Sequence, residues 1–290
     1  MHMVMRFPAG KKRAFTMSYD DGVTPDLHLV QIMRDHGVRG TFNLISSRCE
    51  AQTQEQTYPA GQWGDMTAAQ CRKVAGSDME LAVHTRTHPF LTRMPPHVAM
   101  AEVLHDREAI ERLTGKPVRG MAYPYGDYND SIVALLQQAG MAYARTCNLN
   151  RGDSFAVPVD WLRMPTTCHH NDARLMPLID DFFAPLGRYG TPKLFYLWGH
   201  SYEFEKDGNW DRIESFLDRM GGHDSDVWYA TNIEIYDYVQ AYQRLLWTTD
   251  FSVVQNPSAQ DVWISPYRLG DEANSPTIRI PAGQTVRLNA

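Results

Sequence analysis

The chain contains 290 residues, of which 43% are hydrophobic and 21% are charged. These values are typical of one large globular domain, or of one domain with a small appendage, and they exclude a disordered chain, a coiled coil and a collagen-like repeat. The net charge is −6 and no long basic run is present. We therefore predict no nucleic-acid partner, because the phosphate backbone requires a basic footprint.

The first half of the chain alternates predicted strands with predicted helices. Helices are predicted to begin at Thr24–Pro25, where Thr is a favoured N-cap and Pro fits the first helical position, and at Thr67, which has Gln70 at the capping-box spacing. Two more helices are predicted over about Val98–Leu113 and over Ser131–Gln138. The predicted strands are Arg13–Tyr19, Gly40–Ile45, Glu80–His84 and Val118–Tyr123.

The second half continues this alternation and then changes character after Trp247. Predicted strands over Lys193–Trp198 and Val227–Ala230 flank a helix over Asp211–Met220, and a last helix covers Ile233–Leu246. Four short β-like runs then follow, separated by turn residues: Phe251–Val254, Val262–Ile264, Thr277–Ile280 and Thr285–Leu288. The sequence therefore predicts a main domain over residues 1–250 and a small β-rich C-terminal appendage over residues 251–290.

Strands separated by helices of this length favour parallel βαβ units and an α/β fold. Polar and titratable residues follow the strands, and in a parallel barrel the loops after the strands form the active face. We therefore expect these scattered residues to lie in one site. They are Asp20, Asp21, His84, Tyr125 and His200.

Two histidines, His84 and His88, lie four residues apart, a spacing at which one helical turn or a tight loop can direct both imidazoles at one metal ion. Asp20 and Asp21 are adjacent carboxylates at a strand end, and a nearby cation would relieve their repulsion. Asp21, His84 and His88 would supply three ligands and leave positions open for water, as catalytic metal sites do. Two exposed loop histidines and a solvated acidic turn are the alternative interpretation.

Several short motifs resemble the signatures of the polysaccharide deacetylases, carbohydrate esterase family four. Ser18–Gly22 is similar to the first signature, TFDDG, and His84–His88 matches the second, H-[ST]-x-x-H. Ala122–Gly126 resembles the third, R-x-P-Y-G, without its Arg. Asp160–Trp161 resembles the fourth, and Leu197–His200 is similar to the fifth, in which a strand leads to His. The resemblance runs in order from about residue 12 to residue 247.

The resemblance implies a distorted parallel (β/α) barrel with fewer than eight regular repeats. It implies a divalent metal, often zinc, bound by Asp21, His84 and His88. It also implies Asp20 as general base, His200 as general acid, and the backbone N–H of Tyr125 as an oxyanion donor. Trp161 and Trp198 are implied as walls of the pocket for the acetyl methyl group, and we expect Tyr202 and Glu203 near the substrate because they follow His200 directly.

The third signature departs from the family pattern at its first position. The family has an Arg there that is thought to orient and tune the base, whereas this chain has Ala122. A guanidinium beside Asp20 would lower the pKa of that carboxyl and fix its rotamer. We expect either that Arg163 replaces this cation or that the metal and Asp21 alone tune Asp20, with a slight preference for Arg163.

The resemblance predicts a hydrolase that removes N-acetyl or O-acetyl groups from a glycan. Two alternatives of the same fold remain: a hydrolase of a small cyclic amide or imide, and a catalytically silent carbohydrate-binding barrel. An iron oxygenase with two His and one carboxylate is disfavoured, because such triads usually lie on a β-roll rather than on alternating βα units. An open groove would favour a polymeric substrate, whereas a closed pocket would favour a small molecule.

The sequence also supports expectations about location and partners. It contains no apolar run long enough to span a membrane, and Met1–Phe15 lacks the apolar stretch of a signal peptide. We therefore expect a cytoplasmic protein, or an exported one whose leader is not part of this sequence. The four cysteines form no CxxC motif and are expected to be reduced. The expected partner is an acetylated carbohydrate, and the oligomeric state is left open.

Overall fold

The computed structural model describes residues 2–150, 154–267 and 276–288. The strands are β1 His2–Arg6, β2 Arg13–Asp21, β3 Gly40–Leu44, β4 Glu80–Val83, β5 Gly120–Ala122, β6 Tyr143–Leu149, β7 Met164–Thr166, β8 Cys168–His169, β9 Lys193–Gly199, β10 Val227–Tyr229, β11 Leu246–Trp247, β12 Val253–Gln255, β13 Val262–Tyr267, β14 Ile278–Ile280 and β15 Thr285–Arg287. The helices are α1 Asp26–Asp35, α2 Ser46–Ala51, α3 Ala68–Ala75, α4 Pro96–Thr114, α5 Asp130–Gln138, α6 Leu175–Phe183, α7 Ser201–Asp207, α8 Trp210–Met220 and α9 Asn232–Gln243.

Nine strands form one parallel sheet in the order β7-β6-β5-β4-β3-β2-β9-β8, with β10 paired to the first residues of β2. The two end strands, β7 and β8, are separated only by Thr167, whose N–H donates to the Tyr196 carbonyl of β9 at 2.9 Å. The run 164–169 therefore pairs with β6 on one side and with β9 on the other, and it closes the sheet into a barrel. The prediction of a distorted parallel (β/α) barrel with fewer than eight regular repeats is confirmed.

Tight packing between neighbouring strands requires glycine at one position of the barrel wall. A Cβ on Gly120 would lie 2.1 Å from the Tyr143 ring, so only glycine lets β5 and β6 approach this closely. The largest core cluster packs the outer helices against the sheet, and its members include Leu29 and Met33 of α1 and Leu217 of α8. Burial of these apolar side chains is the main driving force for the fold.

Most predicted helices are confirmed, with small shifts at their ends. The capping box of Thr67 and Gln70 is present at the start of α3. The first predicted helix begins later than expected, at Asp26, and an oxygen of the buried Asp26 carboxyl group accepts from the N–H of Val23. The prediction for the last helix was wrong at its end, because α9 stops at Gln243 and Leu246–Trp247 pairs with β12 as a strand.

The C-terminal strands form two small antiparallel sheets. One contains β1, β13 and β14, and the other contains β11, β12 and β15. Buried Val254, Val262, Ile264 and Ile280 form a separate core between them, which also receives Leu245 from the segment after α9. Since β1 leads into the amino end of β2, this module lies at the end of the barrel opposite the carboxyl edge of the strands.

Within residues 2–150, 154–267 and 276–288, no helix combines the length and apolar character needed to cross a bilayer.

Candidate active site

The titratable residues singled out in the sequence meet at the carboxyl edge of the barrel. Asp21 ends β2, His84 follows β4, Tyr125 follows β5 and His200 follows β9. All the barrel strands run parallel, so these strand ends share one edge of the sheet. The structure therefore brings together side chains that are distant in sequence, since Asp20 and His200 are 180 residues apart in the chain.

Asp21, His84 and His88 place three ligand atoms within 4.8 Å of one another. The two Nε2 atoms of His84 and His88 are 3.1 Å apart, and each lies 3.8 Å from Oδ1 of Asp21. That carboxylate oxygen is buried and has no hydrogen-bond partner in the described part of the chain. A buried acceptor aimed at two imidazole nitrogens fits a divalent cation, because a bound cation would satisfy it.

The hydrogen bonding of His84 prepares its Nε2 atom for a metal. Its Nδ1 lies 2.9 Å from the carbonyl oxygen of Ala122, and since a carbonyl only accepts, Nδ1 carries the proton. The Nε2 lone pair therefore faces Asp21. Burial lowers the pKa of His84 to about 4, so the ring is neutral at neutral pH. An outer partner that fixes the tautomer in this way is typical of metal-ligating histidines.

Backbone strain is concentrated at this cluster. Among the described residues, seven non-glycine residues have positive φ, and four of them are in or beside the site: Asp21 at 82°, Thr85 at 65°, His88 at 61° and Tyr125 at 57°. Such conformations cost free energy and persist where surrounding contacts fix them, which is most often at functional sites. The strain is therefore a second indication, independent of side-chain chemistry, that this edge is functional.

Asp20 is buried beside the cluster and is held by two side chains from other strands. Asn43 of β3 donates from Nδ2 to Oδ1 of Asp20 at 2.8 Å, and Arg145 of β6 donates from Nη2 to Oδ2. Burial alone would raise the pKa of Asp20, but Arg145, with His84 and His200 nearby, holds it well below its ordinary value. Asp20 is therefore an ionised carboxylate fixed in one rotamer.

Arg145 supplies the cation beside Asp20 that the third signature lacks at Ala122. The two residues are Cα partners on the neighbouring strands β5 and β6, and Arg145 is fully buried as it reaches across the barrel to Asp20. The expectation that Arg163 supplies this cation is wrong. Arg163 pairs with Asp160 at 2.7 Å and with Asp130 at 2.6 Å on the surface.

His200 lies on the other side of Asp20. Its Nε2 is 3.9 Å from Oδ2 of Asp20, and its Nδ1 is 2.9 Å from Oε1 of Glu203. Burial would lower the pKa of His200, but the hydrogen bond to Glu203 and the nearby carboxylates of Asp20 and Asp21 raise it above its ordinary value. The site thus contains a carboxylate of low pKa and an imidazole of raised pKa within 4 Å of each other, as an acid–base pair requires.

A second group of potential ligands, His169, His170 and Glu203, also lies within 4.8 Å. Its hydrogen bonding differs from that of the first group. Nδ1 of His169 accepts from the backbone N–H of Asn171 at 3.1 Å, so in the neutral ring the proton is on Nε2 and no lone pair is free there for a metal. We therefore interpret this group as two imidazoles gathered around the Glu203 carboxylate rather than as a metal site.

The predicted aromatic residues have different positions. The Trp198 ring lies in the site, with the guanidinium carbon of Arg145 4.6 Å from its centroid. Trp161 is buried instead in a cluster with Tyr236 of α9, at a ring distance of 5.2 Å. Tyr202 lies 5.2 Å from the His200 ring and stacks on Trp63 at 5.0 Å.

The exposed Tyr125 stacks on Phe90 at 4.1 Å and lies 4.4 Å from the His88 ring. A stacked aromatic pair therefore flanks each side of the candidate site, Trp63–Tyr202 beside His200 and Phe90–Tyr125 beside His88.

Sequence reasoning missed Asn43 and Arg145 as parts of the site. The position of Arg145 was a usable indication, because this charged residue directly follows the apolar run Met141–Ala144. It lies within β6, a strand that the sequence analysis did not predict. A charged side chain buried in a strand requires a counter-charge, which here is Asp20. Asn43 carried no such signal, because a single polar residue in a strand is common.

The protein is thus a parallel β/α barrel whose carboxyl edge carries an Asp–His–His cluster beside a buried carboxylate and a partly buried imidazole, an arrangement typical of enzymes. Residues 8–144, just under half of the chain, match the family model described as polysaccharide deacetylase, and this match confirms the resemblance seen in the motifs. The matched segment contains Asp20, Asp21, His84, His88 and Tyr125, whereas Arg145 and His200 lie beyond it.

Proteins of known name support the same relationship. A chitooligosaccharide deacetylase of Bradyrhizobium sp. (strain ANU 289) is 30% identical over 135 residues, which is 45% of this chain and 54% of that protein. The match thus covers about half the length of this relative. A solved structure from Mycobacterium smegmatis that bears the family name polysaccharide deacetylase superposes with a TM-score of 0.57 at 18% identity, covering 83% of this chain and 94% of that one.

A second solved structure shows the same fold. It is the Xyl-CE4 domain of a multidomain xylanase from the hindgut metagenome of Trinervitermes trinervoides, with a TM-score of 0.53 at 14% identity, covering 80% of this chain and 92% of that chain. At these identities the two structures establish the shared barrel over most of the chain, including the strands beyond residue 144.

Proposed function

We propose that the protein is a metal-dependent hydrolase that removes acetyl groups, N-linked in preference to O-linked, from a glycan or oligosaccharide. The observation that carries the proposal is the arrangement around Asp20. This ionised carboxylate lies between a cluster of metal-ligand type and the imidazole of His200, which is 3.9 Å away. The family match of residues 8–144 supports the same reaction class.

Asp21, His84 and His88 would hold the divalent cation. Two imidazoles and one carboxylate form the donor set of many catalytic zinc sites, so zinc is the metal we propose. When bound there, the cation would polarise the acetyl carbonyl and lower the pKa of water towards neutrality. Asp21 ends β2 and His84 directly follows β4, whereas His88 lies in the loop after β4, where its backbone N–H donates to Thr85 Oγ1 at 3.1 Å.

Asp20 is the proposed general base. Arg145 and Asn43 keep it ionised and fix its rotamer, and both are properties that a proton acceptor requires. The same two contacts limit its basicity, since a carboxylate of low pKa accepts a proton well only from an acidified water. The base therefore depends on the neighbouring Asp–His–His cluster, 3.9 Å away at His84 Nε2.

His200 is the proposed general acid. An amine is a poor leaving group unless it is protonated, and an imidazole of raised pKa holds a proton near neutral pH. Tyr125 follows β5 with a φ of 57°, and its backbone N–H is the proposed donor to the developing oxyanion. Loss of one such donor costs about 10²–10³ in rate in comparable sites.

The proposed substrate is a carbohydrate because stacked aromatic pairs border the candidate site on two sides. Aromatic faces pack well against the apolar faces of sugar rings. Tyr125 is 59% exposed, so the edge beside His88 is open to solvent rather than enclosed. An open edge favours a glycan over a small cyclic amide, and the proximity of an ionised carboxylate to an imidazole of raised pKa favours catalysis over a silent binding role.

The test is acetate release from a panel of N-acetylated and O-acetylated oligosaccharides, with a small cyclic amide as the competing substrate. Protein freed of metal by a chelator and protein resupplied with zinc are compared. We expect zinc-dependent acetate release from the N-acetylated glycans. Ring opening of the cyclic amide without acetate release, or glycan binding without any hydrolysis, would replace the proposal by one of its two alternatives.

A further inference from the structure

One carboxylate outside the family signatures contacts the proposed acid directly. Oε1 of Glu203 lies 2.9 Å from Nδ1 of His200, one helical turn earlier in the chain. Since an ionised carboxylate only accepts, the contact places the proton on Nδ1 of His200 and leaves Nε2 facing Asp20. Rotation of the imidazole about its χ2 angle would break this hydrogen bond.

The second oxygen of Glu203 accepts a hydrogen bond from one side chain and lies beside two imidazole rings. Asn171 donates from Nδ2 to Oε2 at 2.9 Å, and the Nε2 atoms of His170 and His169 lie 2.9 Å and 3.4 Å from the same oxygen. A carboxylate surrounded on both oxygens by nitrogen groups is held in one rotamer. Glu203 is therefore a rigid support rather than a mobile side chain at the rim.

His170 gives this arrangement a buried anchor. Its ring is fully buried, stacks on Tyr19 at 5.7 Å, and has its Nδ1 3.2 Å from the Tyr19 hydroxyl. A Cβ on Gly199 would lie 2.0 Å from Nδ1 of His170, so glycine before His200 is what admits the buried ring. The barrel wall is thus shaped to accept His170 behind Glu203.

We infer that Glu203 is the positioning residue of the general acid, and that it acts on His200 through the hydrogen bond between Oε1 of Glu203 and Nδ1 of His200, while Asn171 holds the other carboxylate oxygen. Asp160, in the segment that resembles the fourth signature, does not take this role, because its carboxylate pairs with Arg163 on the surface. The role of Glu203 in catalysis rests on the proposed function, whereas its control of the His200 tautomer does not.

The first experiment compares Glu203→Gln with the matched control Glu205→Gln. Glu205 is on the same helix and contacts Trp210 and the Gly61 N–H instead. We expect Glu203→Gln to lower kcat for an N-acetylated oligosaccharide about 10-fold or more and to change kcat for an aryl acetate less than about 3-fold, because only the amine leaving group needs the acid. Equal losses on both substrates would overturn the inference.

The second experiment needs no turnover and so separates this inference from the proposed function. Imidazole ¹⁵N–¹H correlation spectra of the intact protein, recorded above the pKa of His200 so that its ring is neutral, report which ring nitrogen carries the proton, with His200→Gln assigning the signal. We expect a protonated Nδ1 in the wild type and in Glu205→Gln, and a weakened or lost Nδ1–H signal in Glu203→Gln. An Nε2–H tautomer in the wild type, or an unchanged signal in Glu203→Gln, would overturn the inference even if acetate release fails.

Discussion

Arg145 shows how one side chain fixes the chemistry of another from a different strand. It is fully buried, and its counter-charge is Asp20, so the pair places two charges inside the barrel. Buried pairs are costly to form and costlier to break, because removal of one partner leaves the other charge uncompensated. The pair therefore makes functional sense only if an ionised carboxylate is required at this position.

Arg145→Met is expected to shift the acidic limb of the pH profile of kcat/KM to higher pH. Loss of the cation favours the protonated carboxyl, so the pKa of Asp20 rises and the base is protonated over a wider acidic range. Arg163→Met is the matched control, because its guanidinium contacts only surface carboxylates. If the acidic limb shifts in Arg163→Met and not in Arg145→Met, then Arg163 rather than Arg145 lowers the pKa of Asp20.

His84→Ala is expected to lower bound divalent metal from about one equivalent per chain to well below that value. His84 supplies one of three ligand atoms, and its ring is already neutral at pH 7. His105→Ala, on the exposed face of α4, serves as the control. Metal analysis of protein purified without chelator provides the measurement, and equal metal content in both variants would remove His84 from the site.

His200→Ala is expected to slow amide cleavage by about 10²-fold or more while leaving cleavage of an activated aryl ester much less affected. The reason is that an amine must be protonated to leave, whereas an activated phenolate leaves unaided. Steady-state kcat on the two substrates measures the split. Parallel losses would show that His200 is not the acid.

At the scale of elements, the strand ends of the barrel were the most predictable part of the site. Asp20, Asp21, His84 and His200 follow apolar runs in the sequence, and parallel topology then brings them to one edge. Strand β6 and the run 164–169 were not predicted, since β6 contains Arg145 and the closing run is short. Because β6 was not predicted, the sequence analysis also missed Arg145 as the ion-pair partner of Asp20.

The tertiary partners of local motifs could not be read from sequence. Glu203 was expected beside the substrate because it follows His200, and that adjacency gave no information about which atom it contacts. Its hydrogen bonds to His200 and Asn171 depend on how α7 packs against β8. Trp161 was placed by motif order, whereas packing against Tyr236 determines its location.

The small β module is expected to contribute stability and not chemistry. Ile264→Ala removes a fully buried side chain from its core and is expected to lower the free energy of unfolding by about 2–5 kcal/mol. Thr285→Ala on the exposed surface is expected to change it by less than about 0.5 kcal/mol. Chemical denaturation measures both, and kcat of the folded protein should be unchanged. A loss of kcat in Ile264→Ala under conditions in which the variant is fully folded would contradict this.

At the scale of the whole molecule, buried carboxyls make stability depend on pH. Asp26 is fully buried and hydrogen-bonded to Ser201 at 2.5 Å, and burial raises its pKa to about 8. The folded state therefore holds a proton that the unfolded state loses above about pH 4. The contribution of the protonated Asp26 to the free energy of unfolding is complete below about pH 4, and it is lost as the pH rises towards 8.

Asp26→Asn is expected to remove that part of the pH dependence. The amide resembles the protonated carboxyl, so between about pH 4 and 8 the wild type should lose up to about 1.4 kcal/mol per pH unit relative to the variant. Urea denaturation at several pH values gives the comparison, with the exposed Asp35→Asn as control. Parallel stability curves for the wild type and Asp26→Asn would show that Asp26 is ionised throughout.

The most direct test of the account is the coupled appearance of acetate and free amine from one N-acetylated oligosaccharide. Zinc-loaded wild type, Asp20→Asn and the control Asp35→Asn are compared at equal metal content. The account predicts equimolar acetate and amine for the wild type and the control, and a loss of at least about 10²-fold for Asp20→Asn, since the base is removed while the cluster of Asp21, His84 and His88 is kept. Undiminished turnover in Asp20→Asn would contradict the central claim.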